Sequence, residues 1–237
     1  MTNNLRTAIA TFILTAAITP ATMLAQSAYP VNFDENEAAT NTGRYTNAIL
    51  LSSSYGTQQI DVNQKTEKRL YIKRLDDCLR AKIGETVSVG FNWKGTWMCG
   101  YAYIDFGKDG KYDVDYDDNG VNAMKDLMTY SMYKNKDSKG ATVSGEPSIN
   151  PPSFAIPTDA KPGIYRMRYK VDWDSVDPGG NISSNGIKKN GGVIVDTRIN
   201  VHGETVHVTV KGTDPLKGTV TLGDQYTELN NQDVEFG

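Results

Sequence analysis

The stretch NWKGTWMCGYAYIDFGKDGKYDVDYDD, Asn92 to Asp118, decides the fold. In its middle, Met98, Gly100, Ala102 and Ile104 fall on one face, and Cys99, Tyr101, Tyr103 and Asp105 on the other. A period of two residues is that of a β-strand. The strand runs directly into an acidic loop in which Asp105, Asp109 and Asp113 surround Gly110.

Upstream, Thr86–Trp93 places Val87, Val89, Phe91 and Trp93 on one face, as a half-buried strand does. Only Lys94-Gly95-Thr96 separates it from the next strand, so residues 86–106 are expected to form a hairpin. Tyr45–Ser52, Gln59–Asn63 and Arg69–Arg74 read as earlier strands, and Asp76–Lys82 as either a continuation or a turn. Downstream, Asn119–Tyr133 is the one expected helix, with Val121, Met124, Leu127, Met128 and Met132 as its apolar stripe. Ile164–Asp174 alternates most clearly: Tyr165, Met167, Tyr169, Val171 and Trp173 face inward, and Arg166, Arg168, Lys170 and Asp172 outward. Asp174–Gly192 is a polar loop, and Gly192–His202 a last alternating strand. The fold class is therefore all-β: an antiparallel β-sandwich over residues 45–202, jelly-roll or Ig-like, with one short helix.

Residues 26–44 are polar and acidic and are expected to be a leader or linker. Residues 203–237 contain short strand-like runs, TVHVTV and TVTL, and read as the start of a small C-terminal β module without a closing strand. About thirty-five residues is little for an independent domain, so a longer protein is expected to continue past Gly237. At the other end, Arg6, the apolar run Ala8–Ile18 and Met23-Leu24-Ala25 before Gln26 are expected to make residues 1–25 a signal peptide, with a buried N-terminal helix as the alternative. The run is too short to span a bilayer, and no second long one follows, so the mature chain is not expected to span a membrane.

A formal charge of −3 gives no basic face for nucleic acid. The two histidines, His202 and His207, are five apart in strand-like sequence and point to opposite faces, which argues against a His-based zinc site or a triad. No pair of acids stands out as a glycosidase pair. The chain is expected not to be an enzyme. Cys78 and Cys99 are the only two cysteines, and export would permit them to pair. Such a bond would close a loop of about twenty residues, worth about 3 kcal/mol; two buried thiols are the alternative.

The run Ile104-Asp105-Phe106-Gly107-Lys108-Asp109-Gly110-Lys111-Tyr112 resembles the IDWNxDGxF signature of GEVED-type domains, β-sandwich modules of secreted Bacteroidetes proteins. Asn92–Met98 with Tyr101-Ala102-Tyr103, and Ile156–Arg168, are similar to a Bacteroidetes variant of the same module. The sequence departs from the signature at Phe106 and Gly107, where tryptophan and asparagine are usual. The resemblance implies an accessory or binding role, because such modules accompany glycan-degrading enzymes, peptidases and adhesins.

Two sites follow from the residues. Asp105, Asp109 and Asp113, with Gly110 at the turn, fit part of an EF-hand-like Ca²⁺ loop, although Gly107 offers no side chain at the third position. The alternative is a solvated turn that keeps a sheet edge soluble. Trp97, with Tyr101 and Tyr103, is the candidate aromatic platform for a sugar ring; covered, packed side chains are the alternative. The expected function is that of a secreted or cell-surface binding module for glycan or a surface protein. A structural spacer beside a hydrolase or adhesin is the rival.

Overall fold

Alternation sets every long strand of the computed structural model, which describes residues 28–40, 43–144, 150–173, 177–180, 187 and 191–203, and the backbone of four later strands. In chain order these are β1 (Tyr45–Ser53), β2 (Gly56–Asp61), the helical turn α1 (Gln64–Glu67), β3 (Tyr71–Lys82), β4 (Thr86–Lys94) and β5 (Met98–Asp105). Then come β6 (Asp115–Asp117), β7 (Gly120–Ala123), β8 (Leu127–Tyr130), β9 (Phe154–Ala155), β10 (Gly163–Trp173) and β11 (Val193–His202). The later strands are β12 (Thr205–Val208), β13 (Thr219–Leu222), β14 (Gln225–Glu228) and β15 (Gln232–Glu235).

One sheet has the order β2-β1-β4-β9 and the other β3-β11-β10-β5-β8. All their pairings are antiparallel except β3 with β11, which is parallel. The inner faces share one core: Ile49 and Leu51 of β1 and Val87, Val89 and Phe91 of β4 meet Ala102 and Ile104 of β5, Met167 and Tyr169 of β10, and Val195 and Ile199 of β11. This is the expected all-β sandwich.

Several expectations are corrected. Residues 86–106 are not a hairpin: β4 and β5 lie in different sheets, joined by a crossing through Gly95 and Trp97, both at positive φ. The residues read as sharing a face do so in both strands, and Val87, Val89 and Phe91 of β4 meet Ala102 and Ile104 of β5 across the core. Gly100 allows this approach, since a Cβ there would collide with the Phe91 ring.

The helix expected at Asn119–Tyr133 is also absent. The β6–β7 hairpin and β8 occupy that stretch. Asp117 caps the turn, its Oδ1 accepting the N–H groups of Asn119 (2.7 Å) and Gly120 (3.2 Å), and Gly120 takes φ 151°. Such a side-chain cap competes with helical hydrogen bonding. The short helix is instead the four-residue α1.

β3 joins both expected segments into one strand. Arg74 to Asp77 bulge out opposite the single residue Thr197, because Lys73 pairs with Asp196 and Cys78 with Arg198. Beyond His202, β12 pairs with β15 and β13 with β14, so the final residues do contain a strand that closes back on Thr205–Val208. Residues 1–25 lie outside the described residues. Among those described, no helix is long and apolar enough to cross a membrane.

Candidate functional site

The charged residues of β10 read as outward do point away from the core. That face is a buried polar layer. β10 is the middle strand of five, and its outward residues Arg168, Lys170 and Asp172 are 0%, 1% and 0% exposed. Register places Arg168 between Asp196 of β11 and Tyr103 of β5, and Lys170 between Ile194 and Tyr101.

Arg168 grips Asp196 with two bonds, Nε to Oδ1 at 2.6 Å and Nη2 to Oδ2 at 2.8 Å. Its remaining donors reach the carbonyls of Pro30 (3.0 Å), Gly180 (2.8 Å) and Tyr29 (2.9 Å). Asp196 also accepts the Tyr71 hydroxyl at 2.8 Å. Burial works against the charge of Arg168, but Asp196 outweighs it and keeps the guanidinium charged. Pairing with full satisfaction of the fork is what makes so deep a cation tolerable.

Lys170 donates to the carbonyls of Asp177 and Gly179, both at 2.9 Å, and its Nζ lies 3.7 Å from the Asp177 carboxylate. Burial pushes its pKa down, while Asp177 and Asp172 oppose that.

These bonds fasten segments that were expected to be loose. The stretch 28–40, read as part of a linker, packs against the sheet: Val31, Phe33 and Ala39 join Leu70, Tyr71, Ile187 and Ile194. The Asp174–Gly192 stretch, read as a polar loop, is buried at Asp177, Gly180, Ile187, Gly191 and Gly192. Gly180 lies so close to Tyr103 and Tyr112 that a Cβ would sit 2.6 Å from Tyr112 Cβ.

The aromatic platform is accordingly corrected. Tyr101 and Tyr103 are both 0% exposed, their hydroxyls donating to the carbonyls of Met132 (2.8 Å) and Pro178 (2.7 Å). Burial raises both phenol pKa values far above the ordinary one. They support loops and offer no face to a ligand. Trp97 alone of the three is exposed, at 37%.

The disulfide is corrected too. Both cysteines are free, Cys78 exposed and Cys99 buried. Cys78 sits on β3 and Cys99 on β5, with β11 and β10 between them. Cys78 is level with Arg198, Arg166 and Asp105, six residues along β5 from Cys99. That is about 14 Å across the sheet and about 20 Å along it, against the roughly 7 Å a disulfide can bridge.

The acidic loop does not gather a ligand set. Asp105 is buried, and its Oδ2 accepts the Tyr29 hydroxyl (2.9 Å) and the Gly110 N–H (3.0 Å), with Asp109 N–H at 3.3 Å from Oδ1. Asp109 Oδ1 accepts the Lys111 N–H at 3.0 Å. Asp113 enters through its backbone N–H, 2.7 Å from Asp126 Oδ2. Among the described residues, no three His, Cys, Asp or Glu side chains are placed to hold a metal ion. These acids pin the loop and the 28–30 segment together.

Clefts open on the surface of the described residues. One, of about 440 Å³, lies along β2 and the bulge of β3, lined by Asp61, Asn63, Lys73, Arg74, Asp76 and Asp77. A second, of about 300 Å³, lies between the β6–β7 hairpin and residues 130–140, with Val121, Asn122, Met124, Tyr130, Tyr133 and Asp137 in its wall. The sequence reading missed the second because it placed a helix there. The Asp117-Asp118-Asn119-Gly120 turn was the available signal. It missed the buried layer because alternating charges normally mark a solvated face; Arg168 and Asp196 in neighbouring strands were the only hint.

Against known proteins, the family model of the GEVED domain matches residues 100–196. The match begins inside β5, ends at Asp196, and takes in β10, the acidic loop and the second cleft. It agrees with the resemblance carried by Ile104–Tyr112. Among curated proteins, none matches the chain.

Proposed function

We propose that this protein is an exported, non-catalytic module that binds glycan at the bacterial surface. The carrying observation is the buried layer: Arg168 and Lys170 fasten the 28–30 and 177–180 segments from beneath. Loops held on a rigid scaffold suit binding, because little ordering entropy is lost on association. The same layer supports a role without catalysis. Its ionisable groups with strongly displaced pKa values are spent on backbone carbonyls and one another under the loops.

A rigid spacer is the second reading, favoured by the burial of Tyr101 and Tyr103, which removes the aromatic face expected from the sequence. Probing the whole mature chain on a glycan array and by polysaccharide retardation separates the two. Micromolar to millimolar binding at a single site is expected. Silence against every glycan favours the spacer, and release of reducing ends from a bound polysaccharide would end the non-catalytic reading.

A further inference from the structure

The cleft between the β6–β7 hairpin and residues 130–140 contains an unusual tyrosine. Tyr130 is 7% exposed, and its ring stacks on Tyr101 with centroids 6.1 Å apart. Almost all of it is structural, yet it lines the cleft. Its hydroxyl makes no hydrogen bond within the described residues, and it is not among the fully enclosed orphan atoms, so solvent reaches it. A hydroxyl that solvent reaches and that no protein group occupies has a donor and an acceptor position to offer the cleft.

Asp137 stands near enough to raise the Tyr130 pKa, after burial itself. Its Oδ1 is held by the N–H groups of Lys139 and Ala141, both at 2.9 Å, which fixes the carboxylate in place. Asn122 is oriented by its Nδ2, which donates to Asp117 Oδ2 at 3.3 Å and leaves its carbonyl oxygen as an acceptor. The Tyr133 hydroxyl donates to the Asp117 carbonyl at 2.9 Å, anchoring the ring on the hairpin. Val121 and Met124, half-buried, add apolar wall.

Resting on the glycan-binding reading above, we propose that this cleft is the saccharide site and takes one hexose-sized residue. Adjacent ring hydroxyls would bridge the Tyr130 hydroxyl and the Asp137 carboxylate, and the C–H face of the ring would lie on Val121, Met124 and Tyr133. A volume of about 300 Å³ admits a single sugar ring rather than a length of extended peptide. Preset polar groups beside a small apolar wall are what a polyol needs. A ligand of a dozen heavy atoms in an open cleft should bind in the low-millimolar range.

The test uses the full mature chain with methyl α-mannoside, methyl β-galactoside, methyl β-glucoside and N-acetylglucosamine, followed by amide NMR. Wild-type protein should bind at least one of them, with shifts at Gly120 and Gly140. Tyr130→Phe, which keeps the stacked ring, should weaken binding about tenfold, as should Asp137→Asn, which keeps the loop cap. If a sugar binds but shifts appear at the Trp97 indole instead, and Tyr130→Phe binds normally, this site is wrong and the glycan reading stands. If the array and all four sugars are silent, or only peptides bind, both are overturned.

Discussion

Replacing Arg168 by methionine should be among the most damaging single changes in this protein. The side chain is wholly buried, as is Asp196 opposite it. Methionine fills much of the same space but donates nothing. Asp196 would keep the Tyr71 hydroxyl at 2.8 Å and Arg166 at 3.4 Å, too little to compensate a buried carboxylate. The Gly180 carbonyl would lose its donor in a dry setting, while those of Tyr29 and Pro30, only partly buried, could be rehydrated. Removing one member of a buried ion pair costs about 3–5 kcal/mol. Urea unfolding followed by fluorescence of the three tryptophans measures it. Arg168→Met with Asp196→Leu should regain most of the loss, since replacing both charges by apolar groups is often close to neutral. Lys73→Met, which breaks a half-exposed pair with Glu35 at 2.8 Å, should cost less than about 1 kcal/mol. A loss below about 1 kcal/mol for Arg168→Met, or a double variant no better than the single one, would refute the account of the layer as paired and obligatory.

Other consequences are measurable. Intact mass should be the same with and without reductant, and the folded protein should react with alkylating agents faster at exposed Cys78 than at buried Cys99; one thiol or none after unfolding would contradict the strand separation. Asp126 has its pKa pushed from 3.8 up to about 6, by partial burial first and then by the negative Asp105, Asp113 and Asp109, against the Asp113 N–H. A carboxyl raised in the folded state binds protons more tightly there than when unfolded, so its contribution is full below the ordinary aspartate range and is lost as pH rises through about 6. Asp126→Asn should therefore gain stability over wild type near neutral pH and show no gain near pH 4, as read by thermal melts across that window. Gly100→Ala should destabilise by about 1–3 kcal/mol through the collision with Phe91. Phe91→Leu in the same chain should offset part of that, and purely additive losses would place the clash elsewhere.

For the long strands β1, β4, β5, β10 and β11, the sequence by itself determined where the strand lies and which of its residues share a face. Both follow from the two-residue period, a local property. Val87, Val89 and Phe91 on β4, Ala102 and Ile104 on β5, and Met167, Tyr169 and Val171 on β10 all lie where alternation puts them. The resemblance at Ile104–Tyr112 was equally legible, because a turn motif is contiguous. Only the tertiary structure decided which sheet each strand joins. The short Lys94–Trp97 link permits either a hairpin or a crossing, and the choice rests on Phe91 fitting against Gly100 from the opposite sheet. It also decided that Cys78 and Cys99 lie apart, since two strands with distant positions in the sequence come between them. Above all, it decided that Arg168 and Lys170 are buried. A charged alternating face is solvated unless distant groups satisfy it, and here those groups are Asp196 and the carbonyls of Tyr29, Pro30, Asp177, Gly179 and Gly180. Those groups come together only once the sheet has formed, so the alternation of β10 could specify two faces but not what covers the second.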